Sequence, residues 1–263
     1  MQLAPNASGA GLVLSASVDA GQPDAVQSLR AALGAGPFAL VVVFLTPVAE
    51  TGALPADLAA AFAPAPVIGC TTAGEISGAG YAEGQIVAVG FPSAHFAADV
   101  MLVPDLAALD PHALIGALIR SRAGLARRAP AWENEFAYLL VDGLSIREDE
   151  LTSALASGLG PVQLFGGSAG DGTRFRRTFV MQDGQMHDNA AVLAMIRSDC
   201  RVKVFSLDHL QPTARRMVVT QADPARRIVR QINAEPAAQE YARILGKDPA
   251  QLTSFTFAAY PVV

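Results

Sequence analysis

The sequence predicts an α/β (α+β) fold built as a pseudo-duplicated unit. It has two mixed β-sheets with helices on their outer faces, and a four-layer α/β/β/α stack is one way to arrange them. Three observations carry this. The order helix, strand, helix, strand, small-residue loop and antiparallel strands runs twice along the 263 residues. Two strands, Phe38–Leu45 and Phe136–Val141, are continuously apolar, as strands buried on both faces are. Runs of strands separated only by turns exclude a simple doubly wound parallel sheet.

The first half opens on a strand, Gly11 to Val18. A helix follows from Pro23 to Leu33, with Val26, Leu29 and Leu33 on one face. After Phe38–Leu45 comes an Ala-rich helix, Pro55 to Phe62, then Val67 and Ile68 leading into the loop "GCTTAGE" (69–75). Only Pro92, Ser93 and Ala94 separate the strands Gln85–Phe91 and His95–Val103, so they are expected to pair as a hairpin.

The second half repeats the order. Asp110 and Pro111 start a helix to about Arg128, and Phe136–Val141 is the next apolar strand. "SIRE" (145–148) fits a capping box, and Glu148, Asp149 and Glu150 suit the positive end of a helix that ends near Gly158. The strand "VQLFGG" runs into the loop "GGSAGDG" (166–172), in which "GGSAGD" is one residue shorter than its counterpart "GCTTAGE". Three strands are expected next: "RRTFVMQ", "NAAVLAMI" and "RVKVFSL". Asp183–Gln185 turns between the first two. A third region starts at "MVVTQADPARRIVRQIN". Its helix "EPAAQEYARILG" has Pro236 in the first turn and Gly246 past the end. The sequence stops on an apolar, strand-like run, "FTFAAYPVV", as if cut inside a domain.

Hydrophobic residues make up 51% and charged residues 16%, a composition that excludes disorder. The longest apolar run, Phe38–Leu45, falls far short of the ~18 residues of a membrane span. The first residues lack a basic n-region and an apolar h-region, so a cytoplasmic location is expected. A net charge of −5 without a basic block argues against nucleic acid as a partner. Cys70 and Cys200 make no disulfide framework and no CxxC, so sequence-local ligands form no zinc site.

The two small-residue loops invite three readings. A phosphate loop or nucleophile elbow needs a following helix, and neither loop has one. They are either plain strand-end turns or the walls of a binding pocket. In the pocket, Gly69, Cys70, Thr71, Thr72, Gly166, Gly167, Ser168 and Asp171 would supply close backbone approach and hydrogen bonds. A third reading makes Cys70 the nucleophile of a thiol-dependent hydrolase.

Together "GCTTAGEI", "VDGLSIREDELTSAL", "FGGSAGDG" and "VVTQADPARRIVRQINAEPAAQEYARILG" resemble the FIST family of bacterial sensory domains. The resemblance implies a FIST N-terminal domain over residues 1–215 and the start of a FIST C-terminal domain over 216–263, which in the family continues further. It implies a non-enzymatic sensor of small ligands such as amino acids, working with a signalling partner. The run "FSLDHLQPTARRMVVTQADPARRIV" is most similar to the NosP-type branch. That branch implies haem b, nitric oxide sensing, and control of a histidine kinase or cyclic-di-GMP enzyme.

Under that resemblance His209 is the candidate axial ligand. On a strand it would share a face with Phe205 and Leu207. Arg176 and Arg177, or Arg215 and Arg216, would take the propionates. An ordinary hydrogen-bonded histidine at a strand end is the alternative. His112 falls in a helix's first turn, His187 past a hairpin turn, and His95 at the start of a strand. Cys200 and Tyr260 are further candidates for iron.

Overall fold

The computed structural model describes residues 12–46, 52–78, 80–172, 174–207 and 211–262. The chain divides into two units, Met1–Val204 and Phe205–Val263.

In the first unit the repeated order becomes a repeated topology. The first half runs β1 (Leu14–Asp19), α1 (Ala25–Leu33), β2 (Phe38–Leu45), α2 (Leu54–Phe62) and β3 (Val67–Thr71). A small hairpin, β4 (Glu75–Ser77) with β5 (Gly80–Ala82), leads to β6 (Gln85–Pro92). The second half runs β7 (Phe96–Val103), α3 (Pro111–Arg128), β8 (Asn134–Val141), α4 (Glu148–Leu159) and β9 (Gln163–Ser168). The hairpin β10 (Val180–Gln182) with β11 (Gln185–His187) then leads to β12 (Ala191–Ser198).

One sheet contains the order β1-β6-β2-β3 and the other is β7-β12-β8-β9. In each, a helix crosses between parallel strands, β2 to β3 or β8 to β9. In each, the last strand inserts antiparallel between the first two. The β10–β11 hairpin breaks the symmetry, because β10 adds to the outer edge of β3 and makes the first sheet six-stranded.

Side-chain alternation along the strands produces four layers. α1 and α2 bury Leu29, Leu33, Leu58 and Phe62 against Val41, Val43 and Leu45. α3 and α4 bury Leu118, Leu125, Leu151 and Leu155 against Leu139, Val141, Leu193 and Met195. Between the sheets, Leu40, Val42 and Ile68 meet Phe136, Leu140, Val192 and Ile196. Strands such as β2 thus carry apolar residues at every position, because both faces are covered. Each fully buried leucine contributes about 2 kcal/mol.

Four local expectations change. The strands around Pro92 do not pair: β1 and β2 already fill both edges of β6, so the chain crosses to the other sheet to begin β7. Asp183 and Gly184, with φ of 47° and 85°, do turn a hairpin, but its second arm is β11. "NAAVLAMI" becomes β12, inside the other sheet. Residues 201–207 form no strand: β7 and β8 fill both edges of β12, and Phe205 and Leu207 are 69% and 85% exposed. Nor does Ser145 cap a helix. Asp142 organises that turn by accepting the Leu144 N–H (3.0 Å), and α4 begins at Glu148 with no side-chain cap. The three acidic residues do occupy its first turn.

The second unit contains an antiparallel sheet of β13 (Val219–Asp223), β14 (Ile228–Ile232) and β15 (Glu235–Pro236). α5 (Ala237–Leu245) follows, with Pro236 at its N-cap and Gly246 left-handed at its C-cap. The terminal run expected as a strand is instead helix α6 (Ser254–Ala259). Thr253 and Thr256 exchange the reciprocal bonds of a capping box at its start.

Candidate functional site

The two small-residue loops meet at one end of the sandwich. The Gly170 N–H donates to the Thr71 carbonyl at 2.9 Å. Parallel pairing sets Gly69 opposite Val43 and Gly166 opposite Leu139, and a β-carbon on either glycine would run into its partner's carbonyl. The loops leave their strands the same way, with Thr72 N–H donating to Leu45 O (3.0 Å) and Ala169 N–H to Val141 O (2.7 Å). The shared glycines are therefore a packing requirement of the repeated β-α-β unit.

Five polar side chains at this end, Thr71, Thr72, Glu75, Asp142 and Asp171, bond to the chain itself. Thr71 is fully buried and its Oγ1 accepts the Phe179 N–H (3.1 Å). The Thr72 hydroxyl donates to Glu75, whose other oxygen accepts the Gln85 N–H (3.2 Å). Asp171 accepts the N–H groups of Phe175, Arg176 and Arg177 at 2.9, 2.7 and 3.0 Å. Burial opposes charge on Asp171, but those three N–H groups and the nearby Arg174 charge outweigh it and hold the carboxyl below its usual range. Asp142 accepts the Thr178 hydroxyl and the Asn189 N–H (2.5 Å).

Cys70 is buried between the sheets, and burial pushes its thiol up to about 12. A thiol nucleophile needs the opposite shift. Gly166, Gly167 and Ser168 are exposed on β9, an edge strand of its sheet. Arg176 and Arg177 are exposed, Arg177 lying over the Phe179 ring (4.8 Å). Arg215 and Arg216 belong to the second unit, where Arg215 donates to the Ile244 carbonyl and Arg216 to that of Thr213 (2.7 Å). His209 lies outside the described residues.

The opposite end of the sandwich is open. A cleft of ≈ 860 Å³, a volume typical of small-molecule sites, lies where β2, β3, β7 and β8 begin. Phe38, Phe96 and Trp132 supply its aromatic surface, and Arg128, Asp99 and Asp183 its charges. Arg128 donates to the Ala98 carbonyl (2.8 Å) and stands 3.8 Å from the Asp99 carboxylate, both side chains about half exposed. The Oε1 atom of Gln182, another lining residue, is buried without a hydrogen-bond partner among the described residues.

The lining contains no histidine, cysteine, methionine or tyrosine, the side chains that ligate haem iron, so this cleft does not fit haem. Reading the sequence missed these residues because they come from distant segments. The one signal was a lone tryptophan in the Pro-Ala-Trp link between α3 and β8.

No helix among the described residues is long and apolar enough to cross a membrane. Comparison with curated proteins gives no match. The FIST N domain model matches residues 39–235, from the second residue of β2 through both halves of the sandwich to β15. The chain therefore belongs to the FIST N domain family, signal-transduction sensor domains for small ligands.

Proposed function

We propose that this FIST domain takes a small zwitterionic ligand, of the size of an amino acid, in the end cleft. The observation that carries the reading is an opposite-charge pair set on an aromatic wall. Arg128 would take a carboxylate, Asp99 and Asp183 an ammonium, and Phe38, Phe96 and Trp132 the apolar part. An exposed pair at 3.8 Å contributes at most about 1 kcal/mol, so a ligand displaces it at little cost. Both sheets contribute to the walls, so a ligand bridges them, and a partner protein in the same compartment, expected to be the cytoplasm, would read the bridged state.

Calorimetry with an amino-acid panel tests this. A binding member should lose about 10–100-fold in affinity in Arg128→Ala. Binding that survives Arg128→Ala but disappears in Ser168→Ala would move the site to the loop end.

Haem-based sensing of nitric oxide, with a histidine kinase or cyclic-di-GMP enzyme as partner, is a second proposal. It rests on the sequence resemblance alone. Its test is a Soret band in the purified or reconstituted protein that shifts with nitric oxide and changes in His209→Ala; no band ends it.

A further inference from the structure

We propose that His95, Asp199 and Cys200 form a zinc-type metal site beside the cleft. β7 and β12 pair antiparallel with Phe96 opposite Ser198. One more step in that register sets His95, just before β7, against Asp199, just after β12. Residues more than a hundred positions apart are thus brought side by side by the sheet rather than by local spacing. The His95 Nδ1 stands 3.1 Å from the Asp199 carboxylate, and the Cys200 thiol donates to the same carboxylate at 3.0 Å. One ligand atom from each of the three residues lies within 4.8 Å of the others. A tetrahedral zinc ion with bonds of about 2.0–2.3 Å sets its donors about 3.5 Å apart, so small side-chain rotations close the site.

The backbone that carries these donors is fixed. Ser198 is fully buried, and its hydroxyl donates to the His95 carbonyl (2.8 Å) while accepting the Cys200 N–H (3.0 Å). One side chain therefore ties both segments together, and Ser198 is a positioning residue for the site. The donor set of one thiolate, one imidazole and one carboxylate suits zinc or cobalt(II) rather than magnesium or calcium. On binding, the Cys200 S–H bond breaks, its proton passes to water, and the sulfur–metal bond forms. His95 binds as neutral imidazole and Asp199 as carboxylate. Water takes the fourth position, which faces solvent because His95 and Asp199 side chains are 46% and 38% exposed. A bound ion would pin the β6–β7 crossover to the end of β12. Ser93 and Phe96, on either side of His95 in the chain, line the cleft.

Cobalt(II) titration of the chelator-treated full chain is the test. The expected result is a thiolate-to-cobalt charge-transfer band that saturates at one equivalent. The band should vanish in Cys200→Ser and persist in Cys70→Ala. Affinity should fall at least about 100-fold in His95→Ala and about 10-fold in Ser198→Ala. Circular dichroism confirms that each variant is folded. Alkylation of wild-type Cys200, slowed by zinc, gives a readout that needs no variant. No charge-transfer band in the wild type, or a band unchanged by Cys200→Ser, overturns the proposal. Calorimetry with amino acids is indifferent to either outcome, so this site and the ligand cleft stand or fall separately.

Discussion

Where β3 and β9 end, Glu75, Asp142 and Asp171 are buried and give their oxygens to the chain's own N–H and O–H groups. At the other end, Arg128, Asp99 and Asp183 face a cleft, and a buried Gln182 oxygen has no partner among the described residues. The first end is the one with visible sequence motifs. Its glycines repeat because the β-α-β unit repeats, and each half must close the same tight approach between parallel strands. The repeated motif in this protein coincides with a folding constraint, and the proposed ligand cleft lies where the motif is absent.

Substitutions at the loop end should therefore act on stability. The largest effect is expected from Gly166→Ala and Gly69→Ala, whose added β-carbons meet the Leu139 and Val43 carbonyls. Urea unfolding should show each destabilised by about 3 kcal/mol or more. A loss under 1 kcal/mol at both would mean the strands have room and the glycines serve something else. Asp171→Ala should cost about 3 kcal/mol, because three N–H groups lose their acceptor. The same variant should leave the ligand affinity of the folded protein unchanged, and a fall of tenfold or more would break the contrast between the ends.

Acid titration sharpens this further. The Asp171 carboxyl titrates below its usual value of 3.8 in the folded protein. Its stabilisation is full above that usual value and is lost as the pH falls through the lower folded value. Wild type should lose stability more steeply than Asp171→Asn below about pH 4. Parallel curves would mean that the Asp171 carboxyl titrates alike in the folded and unfolded chain, so that the three N–H groups do not favour its charged form.

The smallest effect is kinetic. In the metal-free protein Cys200 should alkylate faster than Cys70. The Asp199 hydrogen bond raises the Cys200 thiol and burial between the sheets raises that of Cys70, so it is the better access to Cys200 that separates the two. Mass spectrometry of the singly modified product distinguishes the two.

The fold was legible where periodicity and caps are local. Phe38–Leu45 and Pro111–Arg128 end where the residue pattern says they do. Asp110 caps α3 by accepting the His112 and Ala113 N–H groups (2.9 and 3.2 Å). Strand pairing was not legible, because it depends on which edges are already taken. Nothing near Pro92 states that β1 and β2 will occupy β6. The terminal run "FTFAAYPVV" looks β-rich, and the Thr253–Thr256 box that starts its helix lacks the Glu or Gln of the usual capping signature. Of the polar sites, the loop residues were visible as a motif. The cleft joins residues 38–39, 96–100, 128–132 and 182–183, which only the two-sheet stack brings together. His95 and Asp199 likewise meet only through the β7–β12 register.

The protein has one tryptophan, Trp132, and it lines the cleft, so its emission reports on that end alone. Titration with the amino acid found by calorimetry should change Trp132 fluorescence saturably. The change should track the calorimetric isotherm, weaken in Arg128→Ala and stay intact in Ser168→Ala. Calorimetric binding that leaves Trp132 unchanged and is abolished by Ser168→Ala would place recognition at the loop end and contradict the account.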